Sequence, residues 1–117
     1  MYNAFCEAAD YLGGVHFDDI EPFQFARYGK GQSYEWHVDS DHREEPTRKL
    51  TGVVALNKGF SGGGLQFLWP TLATQVQVEM EPGDLCVFLS TLHHRGAEVY
   101  RGKRYVLVAW ATGRPWK

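Results

Sequence analysis

Gln75-Val76-Gln77-Val78-Glu79-Met80 alternates polar and apolar side chains without a break. Side chains two apart on a strand share a face, so this period marks a strand with one face buried and one in water. Pro82-Gly83-Asp84 follows as a turn, and the apolar run Leu85 to Leu89 as a second strand. Working outward, the pattern repeats. Leu50 to Asn57 is almost continuously apolar, as in a strand buried on both faces. Glu21 to Tyr28, Ser33 to Asp39, Leu65 to Trp69, a segment from His94 to Val99, and Arg104 to Ala111 read as further strands. Glycine-rich turns separate them, including Gly59 to Gly64 and Arg101-Gly102-Lys103. The expectation is an all-β core, a double-stranded β-helix of the jelly-roll, cupin-like kind. Tyr2, Phe5, Ala9 and Leu12 alone show helical spacing, and Gly13-Gly14 supplies a stop. The pattern thus predicts one short N-terminal helix and a single domain over residues 1–117.

The net charge is −2, so no basic excess calls for a nucleic-acid partner. Hydrophobic residues make up 44%, which fits a folded chain rather than a disordered one. Cys6 and Cys86 match neither a disulfide framework nor a zinc pattern, and Cys86 reads as a buried thiol. No stretch has the apolar length that would cross a membrane as a helix, and the first residues lack a signal-peptide pattern. The expectation is a soluble, cytoplasmic protein with no membrane partner.

His37-Val38-Asp39 carries the chemistry. Two apart on a strand, an imidazole and a carboxylate arrive at one point. Two histidines and a carboxylate on one face of an octahedron suit non-haem iron(II), with the other positions open. The same spacing recurs in His16-Phe17-Asp18, which reads as a solvated connection, as Asp41 and His42 read as a charged loop. His93 and His94 are both candidates for the second histidine, and adjacent strand residues face opposite ways, so only one can join. On the last strand Arg104, Val106, Val108 and Trp110 share a face. If that face lines the cavity, Arg104 sits at the edge of an apolar pocket and needs an anion, for which a bidentate carboxylate fits best.

Together these residues resemble the 2-oxoglutarate-dependent dioxygenases, and within them the prolyl 4-hydroxylase-type group. The resemblance rests on Tyr28, Gly31, Tyr34, His37, Asp39, Leu56-Asn57, Gly62-Gly63, Pro82-Gly83-Asp84, His94 and Gly102-Lys103-Arg104. It covers residues 23 to 111. It implies His37, Asp39 and His94 as the iron ligands, with His94 chosen over His93 because the family's distal histidine stands ten residues before its basic residue. No catalytic residue beyond these ligands is implied. Arg104 would grip 2-oxoglutarate, with Tyr28, Leu65 and Val108 around it. Trp110 and Arg48 match positions near the substrate, and Trp36 and Trp69 are candidates to line a peptide groove. Ala55 stands where some animal relatives carry a tyrosine. Iron(II), 2-oxoglutarate and O2 are the implied cofactor and co-substrates, with ascorbate as a candidate accessory reductant. The implied reaction hydroxylates an unactivated C–H, with a prolyl residue in a peptide or protein as first acceptor, and converts 2-oxoglutarate to succinate and CO2. A nucleic-acid demethylase, a small-molecule hydroxylase and a non-catalytic metal-binding jelly roll are the competing readings. The family's helices that buttress the sheet are longer, so one short helix is expected to cover that face here.

Overall fold

The computed structural model describes residues 1–40, 46–69 and 74–114, without the side chains of Trp69 and Thr74. Asp41 and His42 lie outside the described residues, as does the side chain of Trp69. The helix α1 (Tyr2–Tyr11) is followed by β1 (Asp19–Ile20), β2 (Gln24–Tyr28), β3 (Tyr34–His37), β4 (Thr47–Ala55), β5 (Ser61–Gly62) and β6 (Leu65–Trp69). Then come β7 (Thr74–Val78), β8 (Leu85–Leu89), β9 (His94–Gly96), β10 (Val99–Arg101) and β11 (Arg104–Gly113). The larger sheet runs β1-β11-β4-β8, with β2 also paired to β11, and the smaller one runs β3-β9-β6-β7. β10 and β5 form a separate pair. The pairings are antiparallel, and the two main sheets form the jelly roll expected from the sequence.

β4 explains why its sequence is apolar on both faces. Leu50 packs with Phe5 and Ala9 of the helix and with Ala109 and Ala111 of β11. Val53 instead points between the sheets, with Leu65, Phe67, Phe88 and Val106. Gly52 lets the helix come close, since a Cβ there would lie 3.1 Å from the Phe5 ring. Phe5 is fully buried at this contact. Phe5→Ala should therefore destabilise the chain by about 3–5 kcal/mol through lost burial and a cavity against Gly52. Urea unfolding would read this as a lower midpoint, and an unchanged midpoint would mean the helix is not part of the core. Only the middle of the predicted helical stripe is buried: Tyr2 is 62% and Leu12 39% exposed, because the helix reaches the sheet through Phe5 and Ala9.

The strand boundaries differ from the sequence reading in three informative places. The stretch from Glu21 to Tyr28 breaks at Pro22-Phe23. The Glu21 N–H still donates to the Trp110 carbonyl, but Pro22 has no N–H to continue the ladder. Asp39 lies beyond the end of β3, where its N–H and that of Ser40 donate to the Ser90 carbonyl. The segment from His94 to Val99 divides into β9 and β10. Between them the Ala97 N–H turns to the Gly64 carbonyl, and at the start of β10 the Val99 N–H turns to the Gln32 carbonyl.

Candidate active site

His37 and His94 are direct cross-strand partners of β3 and β9. The register alone therefore brings the two rings together, with centroids 4.2 Å apart. His94 is buried, and its ring packs edge-on against Phe88. His37 is partly exposed and packs against the Tyr34 ring, tilted by 38° with centroids 4.0 Å apart. His37 Nδ1 lies 2.6 Å from the Glu35 carbonyl, and His94 Nδ1 lies 2.8 Å from the Leu92 carbonyl. A carbonyl only accepts, so each Nδ1 carries a proton, and Nε2 is the atom that each ring turns toward Asp39, where a cation would replace any proton shared with the carboxylate. Both Nε2 atoms face Asp39: His37 at 3.2 Å from Oδ1 and His94 at 3.3 Å from Oδ2. The three donor atoms all lie within 4.8 Å of one another. Two imidazoles and a carboxylate converging in this way fit a divalent iron site.

The electrostatics agree with that fit. Burial would raise the Asp39 pKa, but hydrogen bonding to His37, His94 and Thr51, with the charge of His94, outweighs it and holds the carboxyl well below the usual range. Burial would lower the His37 pKa, yet the bonds to Asp39 and the Glu35 carbonyl raise it. The carboxylate is thus built to stay ionised opposite positive charge, which a metal ion would supply.

A cavity of about 190 Å³ opens onto these three residues. Arg104, Val106, Val108 and Trp110 line it from β11, as the alternation predicts, and Tyr28 and Leu65 line it as well. Arg104 is 8% exposed, and none of the described carboxylates forms an ion pair with it. Burial lowers its pKa, partly offset by Tyr28, whose ring lies 5.4 Å from the guanidinium carbon. Burial raises the Tyr28 pKa, partly offset by the charge of Arg104, so the phenol keeps its proton and can donate. An Arg and a phenol at one end of a cavity with the His-Asp-His group in its wall suit a dianion that spans the two.

His93 is exposed, and His16 bonds Asp18 at 2.8 Å in water, so neither joins the group. Trp36 is half-buried and packs under Arg95 on β9, with the guanidinium carbon 4.7 Å from the ring, and it does not line the cavity. Cys86 is half-buried and unpaired as a disulfide, and burial raises its pKa. Ala55 does not line this cavity but faces a neighbouring one of about 270 Å³, whose wall shares Leu65, Arg104 and Val106 with it.

Arg48, matched to a position near the substrate, borders the cavity. It sits on β4, its Nε donates to Glu21 at 2.8 Å, and its guanidinium carbon stacks 3.8 Å from the centre of the Trp110 ring. Trp110 does more than stand at the mouth, because its indole N–H donates to Asp39 Oδ2 at 3.2 Å. Thr51 and Ser90 were missed by sequence reasoning. Thr51 Oγ1 donates to Asp39 Oδ2 at 2.8 Å and lies 2.9 Å from Ser90 Oγ. A hydroxyl inside the run Leu50-Thr51-Gly52-Val53 was the available signal, since a buried hydroxyl needs a partner. Gly96 was missed too. A Cβ there would come within 3.0 Å of Arg104 Nη1, so the guanidinium depends on its bare backbone.

Comparison with known proteins agrees with this geometry. A PKHD-type hydroxylase from Prochlorococcus marinus (strain MIT 9313) is 32% identical over 91 residues, covering 78% of this chain and 41% of that protein. A PKHD-type hydroxylase from Xanthomonas axonopodis pv. citri is 29% identical, covering 95% of this chain and 52% of that protein. The chain thus spans about two fifths to one half of the length of these relatives. The crystal structure of a Pseudomonas putida prolyl-4-hydroxylase superposes with a TM-score of 0.79 at 28% identity, covering 97% of this chain and 63% of that one. Iron(II), 2-oxoglutarate and O2 are the cofactor and co-substrates that go with the family model matching here. That model, the 2OG-Fe(II) oxygenase superfamily, matches residues 23–112, and the chain belongs to that superfamily.

Proposed function

We propose that this chain is the catalytic domain of an iron(II)- and 2-oxoglutarate-dependent dioxygenase that hydroxylates an unactivated C–H, with a prolyl residue of a peptide or protein as the acceptor. The observation that carries the reading is the convergence of His37, Asp39 and His94 in the wall of a cavity whose far end holds a buried Arg104 without a carboxylate partner among the described residues. The choice of acceptor is supported by similarity to proteins named PKHD-type hydroxylase and prolyl-4-hydroxylase.

In this reading His37 and His94 bind iron through Nε2 and Asp39 binds it through a carboxylate oxygen. Bound iron would activate O2 for the coupled oxidation of the oxo acid and the acceptor. Arg104 takes the distal carboxylate of 2-oxoglutarate, and the Tyr28 hydroxyl donates to the same molecule. Leu65, Val106 and Val108 give it an apolar corridor and keep water out. Arg48 and Trp110 border the opposite end, where the acceptor would enter beside Asp39. His37 is the more exposed of the two histidines, and the Tyr34 ring packed against it would offer an apolar surface next to a bound iron.

A set of proline-containing peptides incubated with the chain, iron(II), 2-oxoglutarate and air tests the acceptor. The expected result is a gain of one oxygen on proline, with one succinate formed per oxygen. Succinate formed without any peptide gaining oxygen would move the acceptor elsewhere. No succinate, together with no oxo-acid binding, would overturn the oxygenase reading itself.

A further inference from the structure

Asp39 belongs to the smaller sheet by sequence, yet the larger sheet holds it. Its N–H donates to the Ser90 carbonyl at the end of β8. Its Oδ2 takes the Thr51 hydroxyl of β4 at 2.8 Å and the Trp110 indole N–H of β11 at 3.2 Å. Thr51 Oγ1 in turn lies 2.9 Å from Ser90 Oγ, so one hydroxyl pair ties the side chain and one carbonyl ties the backbone. Oδ2 also lies 3.3 Å from His94 Nε2, and Oδ1 has His37 Nε2 at 3.2 Å as its neighbour among the described groups. Each oxygen thus faces one histidine Nε2, but the carboxylate is asymmetric, because Oδ2 also takes both donors of the larger sheet and Oδ1 takes neither.

The indole is itself fixed from outside. Arg48 lies flat on the Trp110 ring with its guanidinium carbon 3.8 Å from the ring centre, and Glu21 anchors Arg48 at 2.8 and 3.3 Å. Trp110 is 8% exposed, and its direct cross-strand partner on β4 is Thr51. The two donors to Asp39 thus come from adjacent positions of one sheet face, and Arg48 caps that face.

We propose that Trp110 and Thr51 are positioning residues for Asp39, that they hold it so that only Oδ1 meets the metal, and that the Glu21–Arg48 pair keeps the indole in place. This rests on the iron site proposed above. Groups that hydrogen-bond a metal ligand orient it, and losing one weakens metal binding about 10- to 100-fold. A carboxylate free to rotate could also bind through both oxygens and occupy a position that the oxo acid and O2 need.

Titration of cobalt(II) into the metal-free chain, followed by visible absorption, tests this without turnover. Trp110→Phe keeps the ring and removes the N–H, and it should weaken cobalt(II) about tenfold or more and change the absorption of the bound ion. Thr51→Val should do likewise, whereas Thr51→Ser keeps the hydroxyl and should bind nearly as the native chain does. Arg48→Met should show a smaller, severalfold loss. Thermal unfolding of each metal-free variant is measured alongside. If Trp110→Phe does not fold, the contrast between Thr51→Val and Thr51→Ser decides. Native affinity and native absorption in both Trp110→Phe and Thr51→Val would overturn the proposal while leaving the iron site standing. A native chain that takes up no cobalt(II) would instead remove the iron site and this proposal with it.

Discussion

Asp39→Ala should abolish divalent-metal binding. The loss should exceed the roughly 10- to 100-fold cost of removing an outer hydrogen-bonding partner, because a ligand and its negative charge both go. Asp39 is the only carboxylate of the three converging groups, so the variant leaves two imidazoles, one of them partly exposed, to hold a dication. The metal-free fold is a separate matter, since Asp39 also accepts from Thr51 and Trp110. Asp39→Asn separates the two effects. Its amide oxygen can still accept from those donors, but it brings no charge. It should fold and still fail to bind manganese(II) in a titration followed by electron spin resonance. Near-native manganese(II) affinity in a folded Asp39→Asn would mean that the ligand set is wrong.

Arg104→Ala should cost oxo-acid binding rather than metal binding. Truncating one side of a buried charge pair costs about 2–5 kcal/mol, which is roughly 30-fold to a few thousandfold in affinity. The guanidinium is buried, and none of the described carboxylates offsets it, so an incoming dianion would make the whole pair. Arg104→Lys should recover part of the loss, because a point charge cannot reproduce a two-point grip on a carboxylate. KM for 2-oxoglutarate would report the change, with manganese(II) affinity in the absence of oxo acid as the control. A variant that lost metal but kept its oxo-acid affinity would reverse the assigned roles.

The sequence carried most of the fold and the centre of the site. Leu65–Trp69 and Leu85–Leu89 form strands with the expected boundaries, since turn residues bracket short apolar runs. Alternation along Arg104 to Trp110 put the right face of β11 toward the cavity. The junctions were less legible. Asp39 shares a point with His37 although it lies past the strand, so the spacing gave the right meeting for an incomplete reason. What delivers Asp39 is the Ser90 carbonyl, a contact between residues far apart in sequence. The support behind Asp39 was hidden for the same cause. Thr51 and Ser90 have ordinary neighbours in sequence, and only the β4–β8 register shows that their hydroxyls meet beside a carboxylate. Trp110 and Arg48 were found as positions, but a linear pattern does not reveal which way an indole N–H points.

The central claim is that one cavity holds a metal at His37, Asp39 and His94 and an oxo acid at Arg104. Calorimetric titration of 2-oxoglutarate into the chain loaded with manganese(II), without oxygen, tests it most directly. The expected result is one molecule bound per chain, much more weakly without metal, and lost in both Asp39→Ala and Arg104→Ala. Binding of equal strength with and without metal, or none in either case, would contradict it.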